Sequence, residues 1–219
     1  MIFNLDNIGT FIVEDHDSFD FKNFVLGSSS PRRIELVKEF IDDFKIIKPE
    51  VDERQIIKTY LNNHSTGNFL KDRFLLTSEI AKEKAKAVCK KVSNSLVLSA
   101  DTVVITEDLL LGKPKNLMDA KNILTNLLGK YHYVCTGVCL MENSLSYKSF
   151  YVVSLVKFVE DSKLANDFIE RYVSTKSPLD KAGSYNIAEV DKVLIDSLYG
   201  DYYNIVGLPL PELLRSLNL

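Results

Sequence analysis

The segment LGSSSPRR, residues 26–33, places small polar residues and two arginines at the end of an apolar run. Ser30 is positioned to cap a helix that Pro31 opens, and the free backbone N–H groups of such a helix start can bind phosphate. Arg32 and Arg33 add bidentate donors at the same end. The alternative is a simple cap with two solvated arginines. Basic residues are unfavourable at a helix N-terminus unless an anion binds there, so the pattern favours a phosphate site.

Asp101 interrupts the apolar run LVLSADTVVI. A carboxylate in such a strand is costly to bury unless a partner stabilises it. From this residue alone two interpretations stay open. One is a strand-end Asp paired with a lysine or with backbone amides, and the other is a ligand for a divalent metal or a base that orients water. Glu53, in PEVDER, offers a second carboxylate, although acids in polar loops ordinarily face solvent.

Two lysines are candidates for binding phosphate. Lys84 is in the helical pattern KEKAKA, where a lysine is usually a solvated charge. Lys113 is in LGKP, where Gly112 and Pro114 restrict the backbone and aim a compact cation at one place. Lys113 is therefore the more specific signal of the two.

Strand-like apolar runs alternate with helical patterns, which predicts a layered α/β domain. We expect a strand that ends at Gly27 and a helix over PRRIELVKEFI with Ile34, Val37 and Ile41 on one face. The polar stretch 53–76 is interpreted as a loop or lid, followed by a helix with the stripe Ala81, Ala85, Val88 and Val92. The later predictions are a strand over SLVLSADTVVIT, a turn at TEDLLLGKP, a helix capped by Asn116, a hairpin over YHYVCTGVCLM and KSFYVVSLVKFV, a helix over SKLANDFIERYV, an extended segment around 188, and a short helix opened by Pro209.

Composition excludes several classes of protein. At 219 residues and 46% hydrophobic the chain can bury a core, and a net charge of −3 gives no bulk attraction to nucleic acid. Three cysteines are too few for a zinc or disulfide framework, which fits a reducing compartment. No run reaches the roughly 20 apolar residues of a membrane span, and the acidic start disfavours a signal peptide. The expected location is the cytoplasm.

The ordered motifs SSSPRR, VDE, KEKAKAV, ADTVV, LGKP, TGV, LDKAGSY and GDYYNIVGLPL resemble the Maf (septum-formation) family of nucleotide pyrophosphatases, from about Phe24 to Leu214. Several motifs in the family's order are specific, whereas any one alone is weak. Residues 1–22 and much of the stretch 54–76 look like additions. The resemblance implies a single domain over 23–219 with an elongated mixed sheet and two lobes around a nucleotide cleft, similar to the inosine triphosphate pyrophosphatases.

The resemblance also implies roles for individual residues. Asp101 matches the catalytic proton acceptor, and Glu53 matches an acid that helps it to hold a divalent cation, Mg²⁺ or Mn²⁺. The matches to the phosphate-binding positions are Ser28, Arg33, Lys84 and Lys113. The implied reaction is attack of water on the α-phosphorus of a nucleoside triphosphate, which releases pyrophosphate. A homodimer is the implied assembly.

Three positions that separate substrate branches of the family match Arg32, Thr102 and Ala188. The first two agree with the branch that acts on dTTP and UTP. The third departs, because that branch has Gln where this chain reads YNIAE. Two alternatives stay open: a 7-methyl-GTP or broad-specificity pyrophosphatase, and a nucleotide-binding regulator of cell division without turnover.

Overall fold

A computed structural model describes residues 5–16, 19, 22–143 and 146–219. Eight strands are found among these residues. They are β1 (Gly9–His16), β2 (Asn23–Leu26), β3 (Lys45–Ile46), β4 (Ser95–Ile105), β5 (Leu110–Leu111), β6 (Tyr131–Met141), β7 (Tyr147–Phe158) and β8 (Ile195–Tyr199).

Eight α-helices are found in the same part of the chain. They are α1 (Pro31–Val37), α2 (Glu53–Asn63), α3 (Phe69–Cys89), α4 (Leu117–Leu127), α5 (Lys163–Ser174), α6 (Ile187–Leu194), α7 (Tyr202–Val206) and α8 (Leu210–Leu217). Short 3₁₀ turns occur at Leu5–Asn7, Ser177–Asp180 and Ala182–Ser184. None of the helices in the described ranges is long and apolar enough to cross a membrane.

The strands form an eight-stranded sheet in the order β1-β7-β6-β4-β2-β3, with β5 paired to β4 and β8 paired to β7. β2 runs parallel to both β3 and β4, whereas β5 and β8 run antiparallel to their partners. Too few residues connect β6 to β7 for a parallel crossover, so these neighbours form the predicted antiparallel hairpin. The mixed sheet with helices confirms the predicted α/β class.

The chain divides into two compact units. The first comprises residues 1–9, 103–135 and 153–206, and the second comprises residues 10–102, 136–152 and 207–219. The core of the first unit includes Leu124, Leu127 and Phe158, all nearly inaccessible to solvent. In the second unit the predicted stripe is confirmed for Ala81, Ala85 and Val88, which pack in one buried cluster with residues of β2, β4 and β6, whereas Val92 lies beyond the end of α3 and is partly buried against the cluster.

Gly137 in β6 allows α3 to lie unusually close to the sheet. A Cβ atom at this position would be 2.4 Å from the Thr77 carbonyl carbon and 2.5 Å from the Ser78 backbone nitrogen. Any other residue would therefore displace the helix. This contact sets the distance between the sheet and α3, the helix that carries Lys84.

The prediction of a loop or lid over 53–76 is wrong, because this stretch forms α2 and the first part of α3. The side chains of Asp52 and Asn68 accept hydrogen bonds from Gln55 N and Lys71 N, and so cap the two helices. Partly buried apolar residues of α2 recur at helical spacing, at Ile56, Ile57, Tyr60 and Leu61. Caps and spacing together override the polar composition.

Four local predictions also need correction. Helix α1 ends at Val37, so Ile41 lies beyond it, and Ser30 stands at the N-cap position without a side-chain cap bond. The stretch TEDLLLGKP contains β5, which forms a hairpin with β4. The segment around residue 188 is helical, since Asn186 accepts from the Ala188 backbone N–H and begins α6.

Other local signals are confirmed. Asn116 caps α4 through the backbone N–H of Asp119, and Gly129 follows that helix with a φ of 71°. Ser162 caps α5 through Ala165 N, and α8 begins directly after Pro209. Cys135 and Cys139 are buried free thiols.

Candidate active site

Asp101 and Lys84 meet in the second unit. Asp101 lies in β4, three residues beyond Leu98, which pairs with the last residue of β2. Lys84 reaches it from α3, with 2.7 Å between Nζ and Oδ1. The two side chains are only 10% and 15% exposed, so this ion pair is largely shielded from water. The expectation that Asp101 needs a partner is confirmed, and the partner is a lysine that the helical pattern alone would assign to the surface.

Glu53 joins the same ammonium group. It is the first residue of α2, and its Oε1 lies 2.7 Å from Lys84 Nζ. At 53% side-chain exposure it forms the open side of the cluster. Lys84 therefore bridges two carboxylates, one largely buried and one facing solvent.

Arg33 is fixed on a second side of the site. Its Nε donates to the Gly207 carbonyl at 2.8 Å, and its Nη2 donates to Thr102 Oγ1 at 3.0 Å. Burial lowers the pKa of the Arg33 guanidinium, while the charges of Asp101 and Glu53 act in the opposite direction. The guanidinium thus lies within the electrostatic reach of the carboxylates that Lys84 bridges.

Ser28 is buried in the connection between β2 and α1, where its Oγ accepts from the Ser30 backbone N–H at 3.1 Å. This bond uses the N–H of Ser30 itself and does not replace the expected side-chain cap, which would accept from the first turn of α1. Arg32 is partly exposed on α1. Both follow the carboxyl end of β2, the edge at which open α/β sheets commonly bind ligands.

Lys113 and Ala188 belong to the first unit. Lys113 is exposed between β5 and α4, and the carbonyl of the preceding Gly112 accepts from Gly183 N at 3.2 Å. Ala188 is exposed in the first turn of α6. Their assignments to phosphate binding and base selection stay predictions.

The donor set determines which cation the site can hold. Within the described ranges no group of three or more His, Cys, Asp or Glu residues is arranged to hold a metal ion. Two carboxylates, from Glu53 and Asp101, nevertheless converge on one point, which is taken by Lys84 Nζ. Mg²⁺ is commonly bound by one or two carboxylates together with substrate phosphates and waters. The residues present fit such an ion.

Sequence reasoning missed two residues at the site. Thr136 is fully buried in β6, with its Oγ1 2.9 Å from Thr102 Oγ1. Gly207 offers the carbonyl that accepts from Arg33. Both occur in motifs that carry the resemblance, TGV and GDYYNIVGLPL, but the motifs gave neither residue a role of its own. A hydroxyl inside an apolar strand was the one local signal for Thr136, for the same reason that singled out Asp101.

The mixed α/β fold brings together an arginine, a lysine and two carboxylates. Such a set of charged groups is able to bind phosphate. Comparison with known families then identifies the family: the model of the Maf-like proteins matches residues 23–219, and the chain belongs to that family. The resemblance based on motifs is thereby confirmed.

Named relatives cover almost the whole chain. A dTTP/UTP pyrophosphatase of Dictyoglomus thermophilum is 39% identical over 202 residues, which are 90% of this chain and 95% of the relative. One from Clostridium novyi is 40% identical over 195 residues, 87% of this chain and 94% of the relative. One from Pyrococcus abyssi is 36% identical over 200 residues, 89% of this chain and 95% of the relative.

Proposed function

We propose that this protein hydrolyses nucleoside triphosphates, with dTTP and UTP as substrates, to the nucleoside monophosphate and pyrophosphate. The observation that carries the proposal is the bridge from Asp101 to Glu53 through Lys84, with Arg33 held beside it. A cluster with two cations and two carboxylates can bind a polyphosphate and also supply a base. The names of the relatives support the same reaction.

The cations would position the phosphate chain. Arg33 would bind phosphate oxygens through the guanidinium N–H groups that Gly207 and Thr102 do not use, since a guanidinium has five donors. Backbone N–H groups after Ser28, Arg32 at the start of α1, and Lys113 would add contacts. Phosphoryl transfer depends mostly on positioning and on electrostatic stabilisation, so these contacts account for much of the expected rate.

Asp101 would act on the water. Its carboxylate would accept a proton from the attacking water and orient that water toward the α-phosphorus, with pyrophosphate as the leaving group. Before metal and substrate bind, Lys84 would hold this carboxylate in place, because its ammonium lies 2.7 Å from Oδ1. Glu53 and Asp101 would hold Mg²⁺ or Mn²⁺ together with substrate phosphates. Such an ion supplies charge neutralisation to the transferred group.

A substrate panel tests the proposal. Pyrophosphate release is measured for dTTP, UTP, CTP, 7-methyl-GTP and the other nucleotides, with Mg²⁺, Mn²⁺ and Co²⁺ in turn. We expect release from dTTP and UTP that depends on the metal. Preferred cleavage of 7-methyl-GTP would support the other branch of the family, and tight nucleotide binding without release would support a regulator.

Two features of the assembly belong to the same proposal. We expect a homodimer, which sedimentation of the purified chain checks. We also expect a cytoplasmic location. We also expect residues 23–219 to act as one domain with residues 1–22 as an extension. Strand β1 of that extension pairs with β7, and Glu14 accepts hydrogen bonds from Lys82 Nζ and Tyr147 Oη.

A further inference from the structure

A chain of three side chains runs from the interior of the second unit to the candidate phosphate site. Thr136, in β6, is fully buried, and its hydroxyl lies 2.9 Å from that of Thr102. Thr102 Oγ1 in turn accepts from Arg33 Nη2 at 3.0 Å. A guanidinium can only donate, so the lone pair that Thr102 gives to Arg33 is a fixed requirement of this contact. Thr102 Oγ1 also shares a hydrogen bond with Thr136 Oγ1, in which either hydroxyl can be the donor.

The two supports of Arg33 differ in how they are themselves fixed. The Gly207 carbonyl belongs to a backbone with a φ of 121°, a conformation that needs glycine. Thr102 Oγ1 is on a side chain that can leave its position by rotation about χ1. The hydroxyl of Thr136 gives that rotamer a buried polar contact, which another rotamer of Thr102 would lose.

We propose that Thr136 is a positioning residue, which holds Arg33 ready for phosphate through the hydroxyl of Thr102. The proposal rests on the proposed function, in which Arg33 binds the substrate phosphates. A long side chain that is already fixed loses less freedom on binding than one that must be ordered by the ligand. The alternative is that Thr136 serves only to fill space between strands.

Two substitutions at one position separate these roles. Thr136→Val keeps the volume and removes the hydroxyl, whereas Thr136→Ser keeps the hydroxyl and removes a methyl group. We expect Thr136→Val to lower kcat/KM for dTTP by about three- to tenfold, the value of one hydrogen bond, and Thr136→Ser to stay near the parent. Ser95→Ala is the control, since Ser95 is also a buried hydroxyl of the second unit, lies six residues before Asp101 in β4, and donates one hydrogen bond, to Ser93 O. Equal losses for Val and Ser at position 136 would mean that packing is what matters.

A double-mutant cycle tests the route through Thr102. If Thr136 acts only by fixing Thr102, then Thr136→Val should change kcat/KM by less than twofold when it is added to Thr102→Val. A full further loss in that background would show that Thr136 acts by another route and would overturn the proposal.

A spectroscopic readout separates failure of this proposal from failure of the proposed function. The side-chain N–H signals of Arg33 are followed by ¹H–¹⁵N NMR without substrate, with Arg33→Lys for assignment. We expect them to shift or broaden in Thr136→Val and to keep their parent positions in Thr136→Ser and Ser95→Ala. Parent-like signals in Thr136→Val would overturn the positioning role, even if the parent protein turns over dTTP as proposed. If the parent releases no pyrophosphate from any nucleotide, this spectrum alone decides the inference.

Discussion

Lys84 Nζ lies 2.7 Å from Asp101 Oδ1, and the contact joins α3 to β4 across seventeen residues of sequence. Both side chains are largely withdrawn from water, so the pair is screened less by solvent than a surface ion pair. Removal of one partner therefore affects the other directly. Glu53 contacts the same ammonium group. Loss of the Asp101 charge therefore leaves Lys84 paired, whereas loss of Lys84 leaves two carboxylates close together.

Asp101→Asn should abolish turnover while the protein stays folded. The amide keeps the shape and leaves Lys84 paired with Glu53, but it cannot accept the proton of the attacking water. Loss of such a group typically costs about 10²-fold or more in rate. The measurement is kcat with dTTP, beside a melting curve. Asp167→Asn, at an exposed site on α5, is the control, and near-parent rates in Asp101→Asn would place the base elsewhere.

Lys84→Met should tighten metal binding while it lowers activity. The ammonium takes the point where the Asp101 and Glu53 oxygens converge, so without it two carboxylates face each other and favour a divalent cation. Calorimetric titration with Mn²⁺ checks the affinity, and kcat/KM checks the loss of a phosphate-binding charge. Lys86→Met on the same helix, where Lys86 pairs with Glu83, is the control. Weaker Mn²⁺ binding in Lys84→Met would contradict the shared site.

Arg33→Ala and Lys113→Ala should each reduce kcat/KM, by about 10- to 100-fold for a lost charge-assisted contact to phosphate. Arg33→Lys should recover only part of the loss, because an ammonium cannot donate to Gly207 and Thr102 in the same fork geometry. Arg171→Ala, at an exposed site on α5, is the control. Unchanged kinetics in both alanine variants would move the phosphate site away from these residues.

The sequence predicted those parts of the site that depend on nearby residues. A carboxylate in an apolar strand demanded a partner, and the strand-to-helix junction after β2 followed from Gly27 and Pro31. Contacts between distant residues could not be read in this way. Arg33 meets Gly207 across 174 positions of sequence, and Thr102 meets Thr136 across 34. Helix α2 was missed for a different reason. Asp52 is a helix cap that the sequence alone can indicate, but the polar composition of the segment favoured a loop.

The free energy of unfolding should decrease as the pH is lowered from 6.5 to about 3, because of His132. The ring is fully buried, and burial lowers its pKa from 6.5 to about 3, so only the unfolded chain binds a proton in this window. His132 costs no stability above pH 6.5, and below it the free energy of unfolding decreases by about 1.4 kcal/mol for each pH unit. His132→Gln should flatten this dependence in denaturant unfolding, whereas His64→Gln, at an exposed site, should leave it unchanged. Identical pH slopes in the parent and His132→Gln would contradict the assignment.

The neighbour of Ala188 is already engaged in the first unit. Burial raises the pKa of Glu189, but its hydrogen bonds, chiefly those from Ser177 and Asn186, and the charge of Lys181 together outweigh burial, so the net shift is downward. Ser177 Oγ donates at 2.6 Å and Asn186 Nδ2 at 2.9 Å. Glu189 is therefore committed to the start of α6. It is poorly suited to replace the missing glutamine, although the extended backbone first expected here was wrong.

Ala188→Gln should sharpen the choice of base. In the resembling dTTP and UTP branch a glutamine at this position can both donate and accept hydrogen bonds, and a bound base that covers this group but leaves it unpaired costs roughly 1–3 kcal/mol. Alanine removes that penalty, so the parent should cleave dTTP and UTP with weak discrimination against CTP. The measurement is the ratio of kcat/KM for UTP to that for CTP, which we expect to rise about tenfold or more in Ala188→Gln. Ala188→Leu, which adds volume without polar atoms, is the control. A parent that is already as selective as Ala188→Gln would remove this position from base recognition.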